Sequence, residues 1–310
     1  MKHQVVFIVG PTAVGKTKLA VELAKKLDGE VIYADSMQIY KEMDIGTAKP
    51  SMEEREGIPH YLIDEVTPES DFSVAEFEAR AKEHIQDILS RGKVPIVSGG
   101  TGLYVNALLY EMDFGNAVSN EELRQSLESE SKTYGKEYVY RKLQEIDPKG
   151  AEKIHPNNLV KVIRALEINY ETGENLGDFK EDLKLTAEFE PILIGLNRKR
   201  KDLYERINKR VDLMMEEGLI KEVEALLEKG YDPELKAFRG LGYKEIIRYL
   251  QGENTKNDAI RILKKNTRRY AKRQITWFKR YSFIKWFLVD RYESDEVLLE
   301  EVLNHIQNSK

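Results

Sequence analysis

The chain contains no cysteine. Disulfides, zinc ribbons, iron–sulfur clusters and a thiol nucleophile are therefore excluded, and a reducing compartment such as the cytoplasm is the expectation. No apolar run approaches the ~20 residues that span a bilayer, and the mean hydropathy is −0.53, so no membrane partner is expected. The N-terminus offers Lys2 and then an apolar stretch only at residues 5–9, too short and badly flanked for a secretory signal. Histidine is scarce: the five residues at 3, 60, 84, 155 and 305 show no metal-ligand spacing. Internal repeats and low-complexity segments are missing too.

What is present is a chain of 310 residues, 41% hydrophobic and 33% charged, a globular composition with room for about two domains. The formal net charge of −5 hides a split. Residues 256–280 hold ten basic residues and a single acid, Asp258, a net of +9 that leaves −14 for the remainder. Tyr270, Trp277 and Phe278 are interleaved with these charges. A solvated amphipathic helix accounts for such a run; the aromatics and the near absence of acids favour a face turned toward a polyanion.

Hydrophobic patterning predicts strands at 5–9, 30–34, 60–63 and 94–97, alternating with helices at 18–27, 74–89 and 103–109, which is the signature of a parallel sheet with crossover helices. From 116 to 190 only helical patterns occur, at 121–132, 136–146 and 159–172. Strand character returns at 191–196 and again at 286–289, separated by helical patterns at 201–217, 219–228, 243–250 and 259–279. The expectation is an α/β fold: a core of residues 1–115 and 191–310 with a parallel sheet of the P-loop NTPase kind and a helical C-terminal part, interrupted by an all-helical insertion at 116–190.

Gly10, Pro11, Thr12, Ala13, Val14, Gly15, Lys16 and Thr17 fit G-x-x-x-x-G-K-[ST], after a strand and before a helix. Glycines let backbone N–H groups curl around a phosphate, the helix N-terminus adds partial positive charge, the lysine reaches the outer phosphate and Thr17 is placed to hold Mg²⁺. The usual companions of a nucleotide hydrolase are missing. The 94–97 strand runs into Ser98, Gly99, Gly100 and Thr101 without a metal-holding acid, leaving Asp35 and Asp64 as substitutes; Asn208-Lys209 is followed by Arg-Val-Asp, out of step with a guanine-reading motif. Such a loop suits a phosphate that departs with a product. Asp35 follows the second strand, where ligands of open α/β sheets gather; it is a general base, a metal ligand or a helix N-cap. Arg206 and Arg210, four apart, share a helix face, either toward the phosphate, or solvated, or paired with Glu205 or Glu217.

Residues 10–17, 35–40 (Asp-Ser-Met-Gln-Ile-Tyr), 46–50 (Gly-Thr-Ala-Lys-Pro), 60–64 (His-Tyr-Leu-Ile-Asp), 99–104 (Gly-Gly-Thr-Gly-Leu-Tyr), 163–167, 203–207, 242–245 and 267–278 together resemble the tRNA dimethylallyltransferase family, in order and in spacing. The resemblance implies transfer of a dimethylallyl group from dimethylallyl diphosphate to N6 of the adenine 3′ of the anticodon, in tRNAs reading codons that begin with U, with Mg²⁺ as cofactor. It implies Asp35 as the base, with Lys16, Thr17, Arg206 and Arg210 on the departing diphosphate. It implies tRNA contacts from Asp35, Ser36, Met37, Gln38, Thr101, Arg124, Lys161 and Arg164, and from Arg268, Arg269, Lys272 and Arg273 in the basic segment. Asn158 and Lys161 stand where many relatives carry Asp and Arg, and the lack of cysteine rules out the zinc finger of eukaryotic members, which points to a bacterial form; a monomer is expected. The rival readings are a P-loop small-molecule kinase, which leaves the insertion and the +9 segment without a use, a prenyltransferase acting on free adenine nucleotides, and a non-catalytic RNA-binding protein.

Overall fold

The computed structural model describes residues 3–112, 120–173, 175 and 184–309. In chain order the elements are β1 (Gln4–Val9), α1 (Lys16–Leu27), β2 (Gly29–Ala34), α2 (Met52–Arg55), β3 (His60–Tyr61), α3 (Val74–Ser90), β4 (Val94–Gly99) and α4 (Gly102–Leu109). Four helices follow, α5 (Glu121–Tyr134), α6 (Lys136–Ile146), α7 (Pro148–Glu152) and α8 (Leu159–Thr172). Then come β5 (Glu190–Asn197), α9 (Arg200–Glu217), α10 (Leu219–Glu228), α11 (Tyr243–Leu250), α12 (Lys256–Phe278), β6 (Lys285–Leu288) and α13 (Asp295–Asn308).

The six strands form one sheet in the order β3-β2-β4-β1-β5-β6, and every pairing is parallel. Central β1 is buried on both faces, which is why it reads as a continuous apolar run. Its side chains alternate: Val5, Phe7 and Val9 enter one core, Val6 and Ile8 the other. Helix starts follow local chemistry. Ser73 and Glu76 close a reciprocal capping box at α3, and Ser51 with Glu54 does the same at α2. β3 stops after two residues, where a longer strand was expected, because Leu62 and Asp64 turn left-handed, with φ of 59° and 58°. α13 was not foreseen, although Leu298, Val302 and Ile306 repeat every four residues.

The chain divides into two compact units, residues 1–110 with 185–310, and residues 111–184. The sequence pattern set these edges at 116 and 190. Residues 185–189 lie with the sheet instead: Leu185 bridges Tyr110, Thr186 N–H donates to the Leu109 carbonyl at 2.9 Å, and the Phe189 ring is 6.0 Å from that of Phe7. The second unit packs α5 to α8 around Leu127, Val139, Leu143, Val162 and Leu166. Within it Glu167 is fully buried and receives Arg124 Nε at 2.8 Å, Arg164 at 2.5 Å and the Asn120 N–H at 2.9 Å.

Candidate active site

The loop between β1 and α1 is shaped by its glycines. Gly10 has φ +149°, and a Cβ there would lie 2.5 Å from the Leu196 carbonyl oxygen of β5; Gly15, at φ +114°, is the N-cap of α1. Lys16 bends back so that Nζ donates to the Gly10 and Pro11 carbonyls at 3.0 and 2.9 Å. Burial lowers its pKa to about 8; Asp35 opposes that shift and Arg210 adds to it. An ammonium with that poise keeps its charge best beside an anion.

Two helices hold the loop from outside. From α9, Arg206 Nε donates to the Ala13 carbonyl at 2.9 Å and Arg210 approaches the Thr12 hydroxyl at 3.4 Å. Burial is the main influence lowering the pKa of both guanidinium groups. Arg198, just before α9, donates to the Val14 carbonyl at 3.2 Å and is itself anchored on Asp290 at 2.6 Å. From α12, Gln274 accepts the Thr12 N–H at 2.9 Å while its amide donates to the Gly100 carbonyl at 3.0 Å. One side chain of the cationic helix therefore ties the phosphate loop to the turn after β4.

Asp35 leaves the end of β2 in a turn, not a helix; the capping alternative is replaced by an Asx turn in which Oδ1 accepts the Met37 N–H at 2.9 Å. The neighbouring Ser36 N–H donates to the Thr101 hydroxyl at 3.0 Å, so the ends of β2 and β4 are joined beside the carboxylate. Close approach needs Gly99, whose Cβ would sit 2.1 Å from the Ala34 carbonyl oxygen. Asp64 is used differently: it pairs with Lys49 at 2.5 Å and Arg55 at 3.5 Å. Among the described residues no group of three or more His, Asp and Glu could hold a metal.

A cavity of about 500 Å³ collects these parts. Lys16, Thr17, Asp35, Ser36, Met37 and Gln38 line it with Arg206, Arg210, Tyr270, Arg273 and Gln274. Leu263, Val211, Met214 and Leu241 supply apolar wall. Of the residues singled out from sequence, Arg268 does not line this cavity; it bonds Asn208 and leans over the Tyr204 ring. Arg269 and Lys272 are exposed on α12, and Arg124 and Arg164 meet at Glu167 in the other unit, where Lys161 is exposed. Sequence reasoning missed Gln274 and Arg198. The first had a signal, a polar residue between Ala271 and Phe278 on the buried stripe of α12; the second had none.

The IPP transferase family model matches residues 38–281. The chain belongs to the IPP transferase family. It is similar to the tRNA dimethylallyltransferase of Alkaliphilus metalliredigens, 58% identical over 99% of this chain and 98% of that protein. Its structure is similar to the crystal structure of the full-length tRNA isopentenylpyrophosphate transferase of Bacillus halodurans, with a TM-score of 0.75 and 45% identity, covering 99% of this chain and 96% of that one. It also resembles a eukaryotic dimethylallyltransferase acting on tRNA, with a TM-score of 0.83 and 32% identity, over 99% of this chain and 80% of the other. The chain is thus an enzyme, a transferase of the IPP transferase family, built on the P-loop type of parallel sheet found from the sequence. Among the described residues no helix is long and apolar enough to cross a membrane.

Proposed function

We propose that this enzyme transfers the dimethylallyl group of dimethylallyl diphosphate to N6 of the adenine 3′-adjacent to the anticodon, in tRNAs reading codons that begin with U, and releases diphosphate. The observation that carries the reading is a cavity in which a phosphate loop, the Asp35 carboxylate and side chains of the cationic helix converge. An adenine amino group is a weak nucleophile because its lone pair is delocalised into the ring. The new bond forms between N6 and the allylic carbon as the bond from that carbon to the diphosphate oxygen breaks. Asp35 takes the N6 proton, a role typically worth 10²–10⁴ in rate. Lys16, Arg206 and Arg210 meet the charge that grows on the departing diphosphate.

The donor set fits Mg²⁺ as a partner of the diphosphate: the Thr17 hydroxyl lines the cavity, and this ion commonly keeps water and substrate phosphates as most of its ligands. Thr17 would hold the ion, which when bound would add to the neutralisation of the leaving group.

The target base leaves its stack at a cost of a few kcal/mol. Ser36, Met37 and Gln38 receive it beside Asp35, with Thr101 holding Ser36. The exposed cations of α12, Arg269, Lys272 and Arg273, with Arg268 behind them, meet RNA phosphates. In the helical unit the exposed Lys161 serves the same polymer, whereas Arg124 and Arg164 are held by Glu167. A small-molecule kinase reading gives the α12 cations nothing to do. The test is mass analysis of tRNA incubated with the protein and dimethylallyl diphosphate. One added five-carbon unit on one anticodon-loop purine is expected; unmodified tRNA, with orthophosphate released from a nucleoside triphosphate, overturns the reading.

A further inference from the structure

The Glu222 carboxylate on α10 accepts four hydrogen bonds. Oε2 takes the N–H groups of Asp44 and Ile45 at 3.0 and 2.7 Å; Oε1 takes the Gly46 N–H at 3.0 Å and the Tyr243 hydroxyl at 2.6 Å. Three successive backbone donors on one carboxylate make an anion nest filled from within the protein. Gly46 lies under the Tyr243 ring, where a Cβ would be 2.5 Å from the nearest ring carbon. Two residues on, Ala48 is left-handed at φ 51°, a conformation that a non-glycine residue keeps only when its surroundings impose it.

The carbonyls of this segment have a second task. Gln38 Nε2 donates to the Thr47 carbonyl at 3.1 Å and to the Ala48 carbonyl at 3.0 Å. Both amide hydrogens are thereby used, so the group cannot flip. Its Oε1 is buried without a partner among the described residues, and Gln38 lines the cavity together with Gly46, Thr47 and Ala48. The amide is thus oriented by a segment that is in turn fixed by Glu222. We propose that Glu222 is a positioning residue for the acceptor base, acting through segment 44–48 on Gln38; this rests on the tRNA-prenylating reading above.

The experiment is a double-mutant cycle of Glu222→Gln and Gln38→Ala, read as prenyl transfer to an anticodon stem-loop. Charged hydrogen bonds are among the stronger ones, and Glu222→Gln is expected to lower kcat/KM about thirty-fold while leaving the Kd for inorganic diphosphate within twofold. If Glu222 works through Gln38, the double variant is no worse than Gln38→Ala alone, within about twofold. Tyr243→Phe keeps the three N–H donors and should cost less than Glu222→Gln. Amide hydrogen exchange at Asp44, Ile45 and Gly46 should quicken in Glu222→Gln, a readout independent of turnover. Losses that multiply in the double variant, or unchanged exchange in 44–46, overturn the proposal. Failure of the parent reading is distinguishable, because the unmutated enzyme would then transfer no prenyl group.

Discussion

Helix α12 and the helical unit at 111–184 both carry many cations, yet they differ in how far acids of the same chain have claimed them. The unit holds eleven basic against sixteen acidic residues. Its conspicuous arginines turn inward: Arg124 and Arg164 saturate buried Glu167, and Lys142 pairs with Glu130. On α12 the acid is nearly absent. Among the described residues of the helix, Arg261 and Lys264 pair with Asp258 and Asp212, Lys265, Arg269 and Lys272 form no ion pair, and Arg273 lies over the Tyr270 ring; just past the helix, Arg280 lies over Trp277. A count of basic residues measures neither affinity nor stability; what matters is whether a carboxylate of the same chain has already claimed the charge.

Four experiments bear on that contrast. The largest effect is expected at Asp35, the carboxylate that lines the cavity with Lys16, Arg206 and Arg210. Asp35→Ala should lower prenyl transfer by about 10³ while stem-loop affinity stays within threefold; near-normal turnover removes it from the role of base. Next is Glu167→Gln, which strands two arginines on a neutral amide in the helical unit. Breaking a buried pair from one side costs about 3 kcal/mol, to be read by denaturant unfolding of the full chain; a negligible change would mean that the arginines are not needed there for stability.

The paired substitution Arg269→Gln with Lys272→Gln, by contrast, should leave the unfolding midpoint alone. It should weaken stem-loop binding about thirty-fold at moderate salt and flatten the dependence of affinity on ionic strength by up to two phosphate contacts. An unchanged salt slope would return this face to simple solvation. The smallest effect concerns Lys16, a buried cation whose pKa burial lowers to about 8. A bound diphosphate favours its charged form, so binding takes up a proton only once the free protein has lost one. Affinity for diphosphate should hold below pH 8 and fall as pH rises beyond it, by about tenfold at pH 9, with matching proton uptake in calorimetry across two buffers. A flat profile from pH 7 to 9 would separate Lys16 from the anion.

Much of this arrangement was readable from the chain. Apolar runs such as 5–9 and 94–97 announce buried parallel strands, and Gly10 to Thr17 announce an anion cradle, because both depend on local backbone chemistry. β3 was overestimated because left-handed turns at Leu62 and Asp64 leave no mark in a hydrophobicity pattern. The clasp by Gln274, the Arg198 contact and the Glu222 nest join positions 174 to 262 residues apart; no spacing rule reaches that far. Asp35 was placed beside the loop by topology, yet its Asx turn needed coordinates. The arginines at 124 and 164 show the reverse difficulty: their charge was visible, and their internal partner was not.

Gln274 has one more consequence. Its single amide couples α12 to the cradle and to the neighbouring turn, where a Cβ at Gly100 would come within 2.2 Å of Nε2. Grafting the outer face of α12 from another member of the family, to redirect which RNA is chosen, is therefore feasible only if this glutamine and that glycine travel as a pair. An exchange that splits them would perturb the grip on the small anionic donor before it altered the choice of RNA.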